Sequence, residues 1–261
     1  MNLSLNGKTA IICGSSQGIG LAIAEELSLL GATCILVARN EKALKTAISK
    51  LDISQGQRHE FLVADFSDPD QLKRVVHEYL STHVVHILVN NTGGPPAGQI
   101  IDAEEKDFRS AFEQHVICNQ ILTQAVVPSM KKEKYGRIIN IISTSVKIPL
   151  KNLGVSNTIR GAVASWAKTM ANELGQFNIT VNSILPGSTK TQRLSSLIEN
   201  TAQMRKVEAA SVEEGMREEI PMKRFGEPAE IAAVAAFLAS PAASYVNGAT
   251  IPVDGGRTGS I

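Results

Sequence analysis

The stretch Cys13–Gly14–Ser15–Ser16–Gln17–Gly18–Ile19–Gly20 follows an apolar run, KTAIIC at 8–13, and opens an amphipathic one. Three glycines spaced in this way suit a turn on which a pyrophosphate can lie. One permits the tight bend, one lets the backbone approach the phosphates, and one lets the following helix pack closely on the strand. The N–H groups of the turn and the positive end of the helix then face the anion. Gly14, Ser15, Ser16, Gln17, Gly18, Ile19 and Gly20 are therefore the expected dinucleotide-binding residues. Arg39 follows the second apolar run, TCILVA at 33–38. At that place an acidic side chain would accept hydrogen bonds from ribose hydroxyls, whereas an arginine can grip a 2′-phosphate. The expectation is NADP(H) as the preferred cofactor, with NAD(H) as the alternative.

Positioning such a turn needs a particular scaffold, and the hydrophobic pattern supplies it. KTAIIC (8–13), TCILVA (33–38), HEFLVA (59–64), HILVN (86–90), RIINII (137–142), ITVNSIL (179–185) and ATIPV (249–253) are short apolar runs, most without in/out alternation. Strands buried on both faces of a parallel sheet look like this. Helical spacing of three and four separates them, as in Ile19, Ala22, Ile23, Leu27 and Leu30, with Gly31 as the stop. Further helical patterns run from Glu41 to Ile53, Asp68 to Leu80, Glu104 to Lys132, Val155 to Leu174 and Pro228 to Leu238. Repeated βα units predict an α/β fold, a doubly wound seven-stranded parallel sheet with helices on both faces, Rossmann-like, in a single domain over 1–261. The segment 188–227 breaks the rhythm with a polar, helix-prone insertion. Its place after a strand's carboxyl end predicts a mobile substrate lid.

Composition narrows the classes. The 261 residues carry 26 basic and 25 acidic side chains, so no basic stripe offers itself to nucleic acid or an anionic membrane. No apolar run approaches the ~20 residues of a spanning helix, and the N-terminus shows no secretory pattern. Cys13, Cys34 and Cys118 lack metal-like spacing and are expected to be buried, reduced thiols of a cytoplasmic protein.

Across essentially its whole length the chain resembles the short-chain dehydrogenases/reductases, and among them the 3-oxoacyl-[acyl-carrier-protein] reductase-like branch. The motifs that carry the resemblance are the glycine turn, Asp65 after the third strand, Asn90–Asn91–Thr92–Gly93 after the fourth, Asn140 and Ser143 on the fifth, Pro186–Gly187 after the sixth, and Val253–Asp254–Gly255–Gly256. The resemblance implies that Asp65 and Phe66 flank the adenine, that Asn91 and Gly93 lie beside the adenosine portion, and that Pro186, Gly187 and Thr189 approach the nicotinamide. It also implies a homotetramer or homodimer joined through 104–132, 155–174 and the last strand. Thr92 stands where the pattern usually has alanine.

The family's chemistry rests on a serine, a tyrosine thirteen residues later, a lysine four beyond that, and an asparagine on an earlier helix. Ser143 keeps its place, but the tyrosine position is Ser156, the lysine position Arg160 and the asparagine position His115. A serine hydroxyl is a far weaker acid than a phenol near ~10, and an arginine above ~12 shuttles protons poorly. Histidine, near ~6.5 when unperturbed, is then the best-tuned proton donor of the set. Arg160 can instead bond the cofactor ribose or a developing oxyanion. Lys147 and Lys151 read as solvated loop residues, and Trp166 as a packing residue.

Three readings follow from these residues. One is an NADP(H)-dependent oxidoreductase reducing a small, 3-oxoacyl-like carbonyl compound with a non-standard proton relay. Another is conjugate reduction of an activated olefin, whose delocalised enolate needs a weaker acid. The third is a nucleotide-binding sensor or partner subunit without redox turnover. Residues 94–100, 144–155 and 188–220 would line the substrate pocket, with Pro95 and Pro96 as a stiff wall.

Overall fold

A computed structural model gives the chain as seven strands and nine α-helices over the described residues, 1–260. The strands are β1 (Thr9–Cys13), β2 (Thr33–Ala38), β3 (Glu60–Val63), β4 (Ile87–Asn90), β5 (Gly136–Ile141), β6 (Ile179–Pro186) and β7 (Thr250–Val253). They form one parallel sheet in the order β3-β2-β1-β4-β5-β6-β7. The chain thus winds outward from β1 in one direction, returns, and winds outward in the other. At the reversal the loops leaving β1 and β4 diverge and open a crevice at the carboxyl edge.

The helices are α1 (Gly18–Leu29), α2 (Glu41–Ile48), α3 (Pro69–Leu80), α4 (Glu105–Phe112), α5 (Cys118–Glu133), α6 (Gly154–Leu174), α7 (Gln192–Arg205), α8 (Ala209–Glu218) and α9 (Pro228–Ala239). Successive strand residues point to opposite faces, so Ile11 and Ile12 enter different cores. One core joins Ile12, Leu36, Ile139 and Ile184 to Ile23 and Leu27 of α1 and Ile231 and Ala235 of α9. The other joins Ile11, Leu88, Ile138 and Val181 to Leu72 and Val76 of α3 and Leu122 and Val126 of α5. This two-sided burial is why the strands lack alternation in the sequence.

The helix expected from 104 to 132 runs without a gap from Glu105 to Glu133 but is widened in its middle. Between α4 and α5, Glu113–Ile117 forms a π-helical turn, the kind of local widening that re-aims a side chain. The helix expected to reach Ile53 ends at Ile48, and Gln57 at the end of the turn that follows donates to the Ser28 carbonyl. The insertion at 188–227 folds as α7 and α8 around its own small core of Leu194, Ile198, Ala202, Val212, Ile220 and Phe225. Trp166 packs as expected and donates from Nε1 to Gln120 Oε1 at 2.8 Å. Among the described residues no helix is long and apolar enough to cross a membrane, and no cluster of three or more His, Cys, Asp or Glu could hold a metal ion. The three cysteines are buried and unpaired, and burial raises each thiol above its usual value.

Candidate active site

The glycine turn sits between β1 and α1 with the geometry its composition suggests. Gly14 has φ +58°, and a Cβ there would lie 2.6 Å from the Asn91 carbonyl oxygen. Gly20 is as crowded, since its Cβ would fall 2.3 Å from the Gly14 carbonyl oxygen. Asn91, at the carboxyl end of β4, donates from Nδ2 to the carbonyls of Cys13 and Gly14 at 3.1 and 3.3 Å. Its side-chain amide nitrogen therefore braces the turn, and its Oδ1 and backbone remain for a ligand. The Ser15 side chain is engaged in a similar way. Its hydroxyl donates to the Ile12 carbonyl at 2.7 Å and accepts from the Val37 amide at 3.1 Å, tying β1 to β2 in the core. The side chain is wholly buried, so Ser15 can serve a phosphate only through its backbone. Ser16, Gln17, Gly18 and Ile19 are partly or fully open to solvent.

Arg39 is exposed at the end of β2, where Asn40 caps α2 by accepting from the Ala43 amide. Asp65 follows β3 and accepts from the Ser67 amide at 2.9 Å. That amide, then the Ser67 hydroxyl and the Arg39 charge, hold its carboxyl below the usual range. Arg39 and Asp65 thus stand at the same corner of the sheet, where the adenosine end of a dinucleotide would reach. Phe66 packs half-buried beside the core under β3, and its carbonyl accepts from Cys118 Sγ. Gly93 has open space around it.

At the other end, β6 delivers Pro186 and Gly187, and Gly187 abuts Asp254 so closely that a Cβ would lie 2.7 Å from the Asp254 Cα. Thr189 is buried and donates to the Gly187 carbonyl. Two residues on, Thr191 caps α7, and its methyl packs against the Gly18 position. The insertion therefore begins directly over the glycine turn.

Ser143, the expected catalytic serine, lies two residues past the end of β5. Its oxygen accepts from the Ser145 amide at 3.1 Å, capping the short 3-10 turn Thr144–Val146, and its O–H stays available to donate. Ser156 is buried on the first turns of α6, and its hydroxyl makes no hydrogen bond among the described residues. One turn further, Arg160 is only 8% exposed, and Nη1 donates to the Ile141 carbonyl at 2.9 Å. Its Nε is buried without any partner. Burial, and then the charge of Arg193, bring its pKa down to about 10, which leaves it cationic at neutral pH.

His115 lies in the π-helical turn and is 2% exposed. Nδ1 is hydrogen-bonded to Thr92 Oγ1 at 2.6 Å, the tautomer deciding which atom donates. Burial first, then Arg160 and Arg193, push its pKa down to about 3. The imidazolium donor expected from an unperturbed histidine is therefore absent at neutral pH. What the site holds is a neutral ring that can pass or accept a hydrogen bond. Lys147 and Lys151 are exposed, Pro95 is half-buried and Pro96 exposed.

Two participants escaped the sequence reading. Thr92 was visible only as a departure from the family's alanine, yet it is the residue that fixes His115. Arg193, on the first turn of α7, donates from Nη1 to the Gly94 carbonyl at 2.9 Å and from Nη2 to the Pro95 carbonyl at 3.1 Å. Its signal was a cation two residues past a threonine cap, at the end of a helix where cations are disfavoured.

The residues present fit a dinucleotide. The turn is packed so tightly against Asn91 and the Gly14 carbonyl that only glycine fits at 14 and 20, Arg39 is exposed at the adenosine corner, and Arg160 holds a buried Nε with nothing to bond.

Comparison with known proteins agrees with this arrangement. A family model described as Enoyl-(Acyl carrier protein) reductase matches residues 14–258. A 7alpha-hydroxysteroid dehydrogenase of Escherichia coli (strain K12) is 34% identical over 98% of this chain and 96% of its own. A tropinone reductase homolog of Arabidopsis thaliana is 32% identical over 98% of this chain and 77% of its own. The crystal structure of L-sorbose reductase from Gluconobacter frateurii, complexed with NADPH and L-sorbose, superposes with a TM-score of 0.93 at 32% identity, over all of both chains. With the glycine turn, the seven-stranded order and matches of this extent, the chain belongs to the short-chain dehydrogenase/reductase superfamily.

Proposed function

We propose that this chain is an NADP(H)-dependent oxidoreductase that reduces a small carbonyl compound of the 3-oxoacyl type with a non-standard proton relay, in which Arg160 acts as a charged hydrogen-bond donor and not as a proton shuttle. One observation carries the reading: a buried guanidinium on the helical turn after Ser156 is anchored by one arm to the Ile141 carbonyl, two residues before Ser143, and keeps its Nε uncommitted. The NADPH bound to L-sorbose reductase, and the NADPH-dependent reductase that YwfH is described as, support the cofactor assignment, as does Arg39.

Bound NADPH would supply the hydride. Gly14, Ser16, Gln17, Gly18, Ile19 and Gly20, with the backbone of Ser15, hold the pyrophosphate, and Arg39 takes the 2′-phosphate. Asp65, Phe66, Asn91 and Gly93 border the adenosine half, while Pro186, Gly187 and Thr189 border the nicotinamide. Arg160 bonds the ribose or the oxygen on which negative charge develops, and Ser143 donates its O–H to that oxygen. Ser156, whose hydroxyl is unpartnered, and the neutral His115–Thr92 pair supply the remaining hydrogen-bonding groups of the relay, with water as the source of the proton. The segment 188–227 acts as the substrate lid, and the assembly is a homotetramer or homodimer working in the cytoplasm.

A second reading has its own observation. The cation nearest the oxygen titrates near 10 and the histidine near 3, so neither exchanges a proton readily at neutral pH. Hydride addition to an activated olefin leaves an enolate with spread charge, which Arg160 can stabilise without an immediate proton. The enoyl reductase description of the matching family model supports this chemistry.

The test is steady-state turnover with NADPH on an α,β-unsaturated ketone and its saturated counterpart, in the unaltered chain and in Arg160→Met. Faster consumption of the saturated ketone favours carbonyl reduction, and faster consumption of the enone favours the olefin. Binding of NADPH without any turnover would leave the sensor or partner-subunit reading in its place.

A further inference from the structure

Arg160 and Arg193 are anchored at and beyond the carboxyl ends of the neighbouring strands β5 and β4, the one to Ile141 and the other to Gly94 and Pro95, and neither pairs with a carboxylate. None of the eight ion pairs among the described residues includes Arg160 or Arg193. All eight lie at the surface; these two cations instead bond only backbone carbonyls. Arg160 is more than nine-tenths buried and has an unpartnered Nε. Arg193 adds its charge to the first turn of α7, where no acidic side chain offsets the positive end of the helix. Each charge depresses the basicity of its neighbours: Arg193 acts on both Arg160 and His115. Arg193 is exposed and open to a ligand, whereas the charge of Arg160 is buried and costly unless an anion completes it.

We infer that the substrate of this site carries a carboxylate, received by Arg193 and the N-terminal turn of α7 on one side and by Arg160 on the other. The inference rests on the oxidoreductase reading above and narrows its substrate class to a 2-oxo or 3-oxo acid anion or an unsaturated counterpart. The cofactor pyrophosphate is not the better occupant. It has its own cradle of amides in the glycine turn, whereas the Arg193 guanidinium lies against Gly94 and Pro95, on the wall of the substrate pocket.

The experiment is a binding measurement that needs no turnover. Calorimetry on the chain with NADP+ bound, which has no hydride to give, yields the dissociation constants of (E)-2-oxo-4-phenylbut-3-enoate and of (E)-4-phenylbut-3-en-2-one, which share one enone and differ in the carboxylate. The unaltered chain is expected to bind the carboxylate roughly 10- to 100-fold more tightly than the neutral ketone, the range of a charge-assisted, bidentate contact. Arg193→Met should reduce that preference to below about threefold, with the ketone and NADPH held as before, and Arg193→Lys should retain part of it. Equal affinity for the two ligands in the unaltered chain overturns the inference. So does an Arg193→Met variant that weakens both ligands alike, which would mark Arg193 as a strut for the loop at Gly94. Loss of NADPH affinity in that variant would instead assign the charge to the cofactor phosphates and overturn the substrate carboxylate. Failure of the unaltered chain to bind NADPH at all would defeat the oxidoreductase reading itself, a result distinct from the others.

Discussion

His115 Nδ1 lies 2.6 Å from Thr92 Oγ1, and this contact closes the π-helical turn between α4 and α5 onto the loop that leaves β4. The pair holds a neutral imidazole at the edge of the crevice, 2% exposed, within the field of two arginines. A histidine that was expected to supply protons is thus converted by its surroundings into a fixed hydrogen-bonding element.

The same contact has a consequence for acid stability. In the unfolded chain the ring takes a proton near ~6.5, but in the fold it does so only near 3. A depressed histidine stabilises the fold above the unfolded value, and that contribution drains away as the pH falls from ~6.5 toward 3, because the unfolded chain protonates first. Thermal melting followed from pH 7 to pH 4 should fall more steeply in the unaltered chain than in His115→Asn. Parallel curves would show that the ring is not held neutral.

Arg160 separates stability from activity. Its guanidinium is buried with one hydrogen bond and an unpartnered Nε, so an apolar side chain of similar length removes a desolvated charge. Arg160→Met is expected to leave the melting temperature unchanged or raise it by a few degrees, about 2–4 °C per kcal/mol in a chain of this size. Turnover should fall by roughly 100-fold or more with loss of the charged donor. A variant that melts lower and keeps its activity would contradict both halves.

The glycine turn offers a sharper structural test. Gly14→Ala places a Cβ 2.6 Å from the Asn91 carbonyl at a φ of +58°. Strain of this kind costs on the order of 1–3 kcal/mol, and the displaced backbone can no longer follow a pyrophosphate. The variant should melt several degrees lower and lose NADPH affinity in calorimetry. Retained affinity would mean that the phosphates lie elsewhere.

Arg39 bears on cofactor choice alone. It is exposed and caps no helix, so Arg39→Ala should leave the melting temperature where it is. NADPH affinity is expected to fall roughly 10- to 100-fold while NADH affinity changes by less than about twofold. An equal loss for both nucleotides would remove the 2′-phosphate from the assignment.

The scaffold was legible because its signals are local. Apolar runs such as TCILVA, helical spacing such as Ile19, Ala22, Ile23 and Leu27, and the glycines between them each report on a few consecutive residues. Ser143, Ser156 and Arg160 were also legible, since thirteen residues and one helical turn carry them from β5 to the same face of α6. The place of the Ser15 hydroxyl was not legible, because a glycine-rich turn does not say which of its side chains points inward, and only the partner strand β2 reveals that the hydroxyl is spent on Val37.

The order of polar and apolar residues by itself determined the α/β winding and the glycine turn between β1 and α1, and the sequence spacing put Ser156 and Arg160 one turn apart on α6. Those follow from backbone sterics and period, which act over short distances. Only the tertiary structure decided the charge state of His115, the isolation of Arg160 and the reach of Arg193 across to Gly94. Each of these depends on burial and on charges brought together from 33 to 99 residues away along the chain, from Arg160 to Arg193 and from Arg193 to Gly94. A field or a missing partner of that kind has no sequence period, and it exists only once the crevice has closed around it.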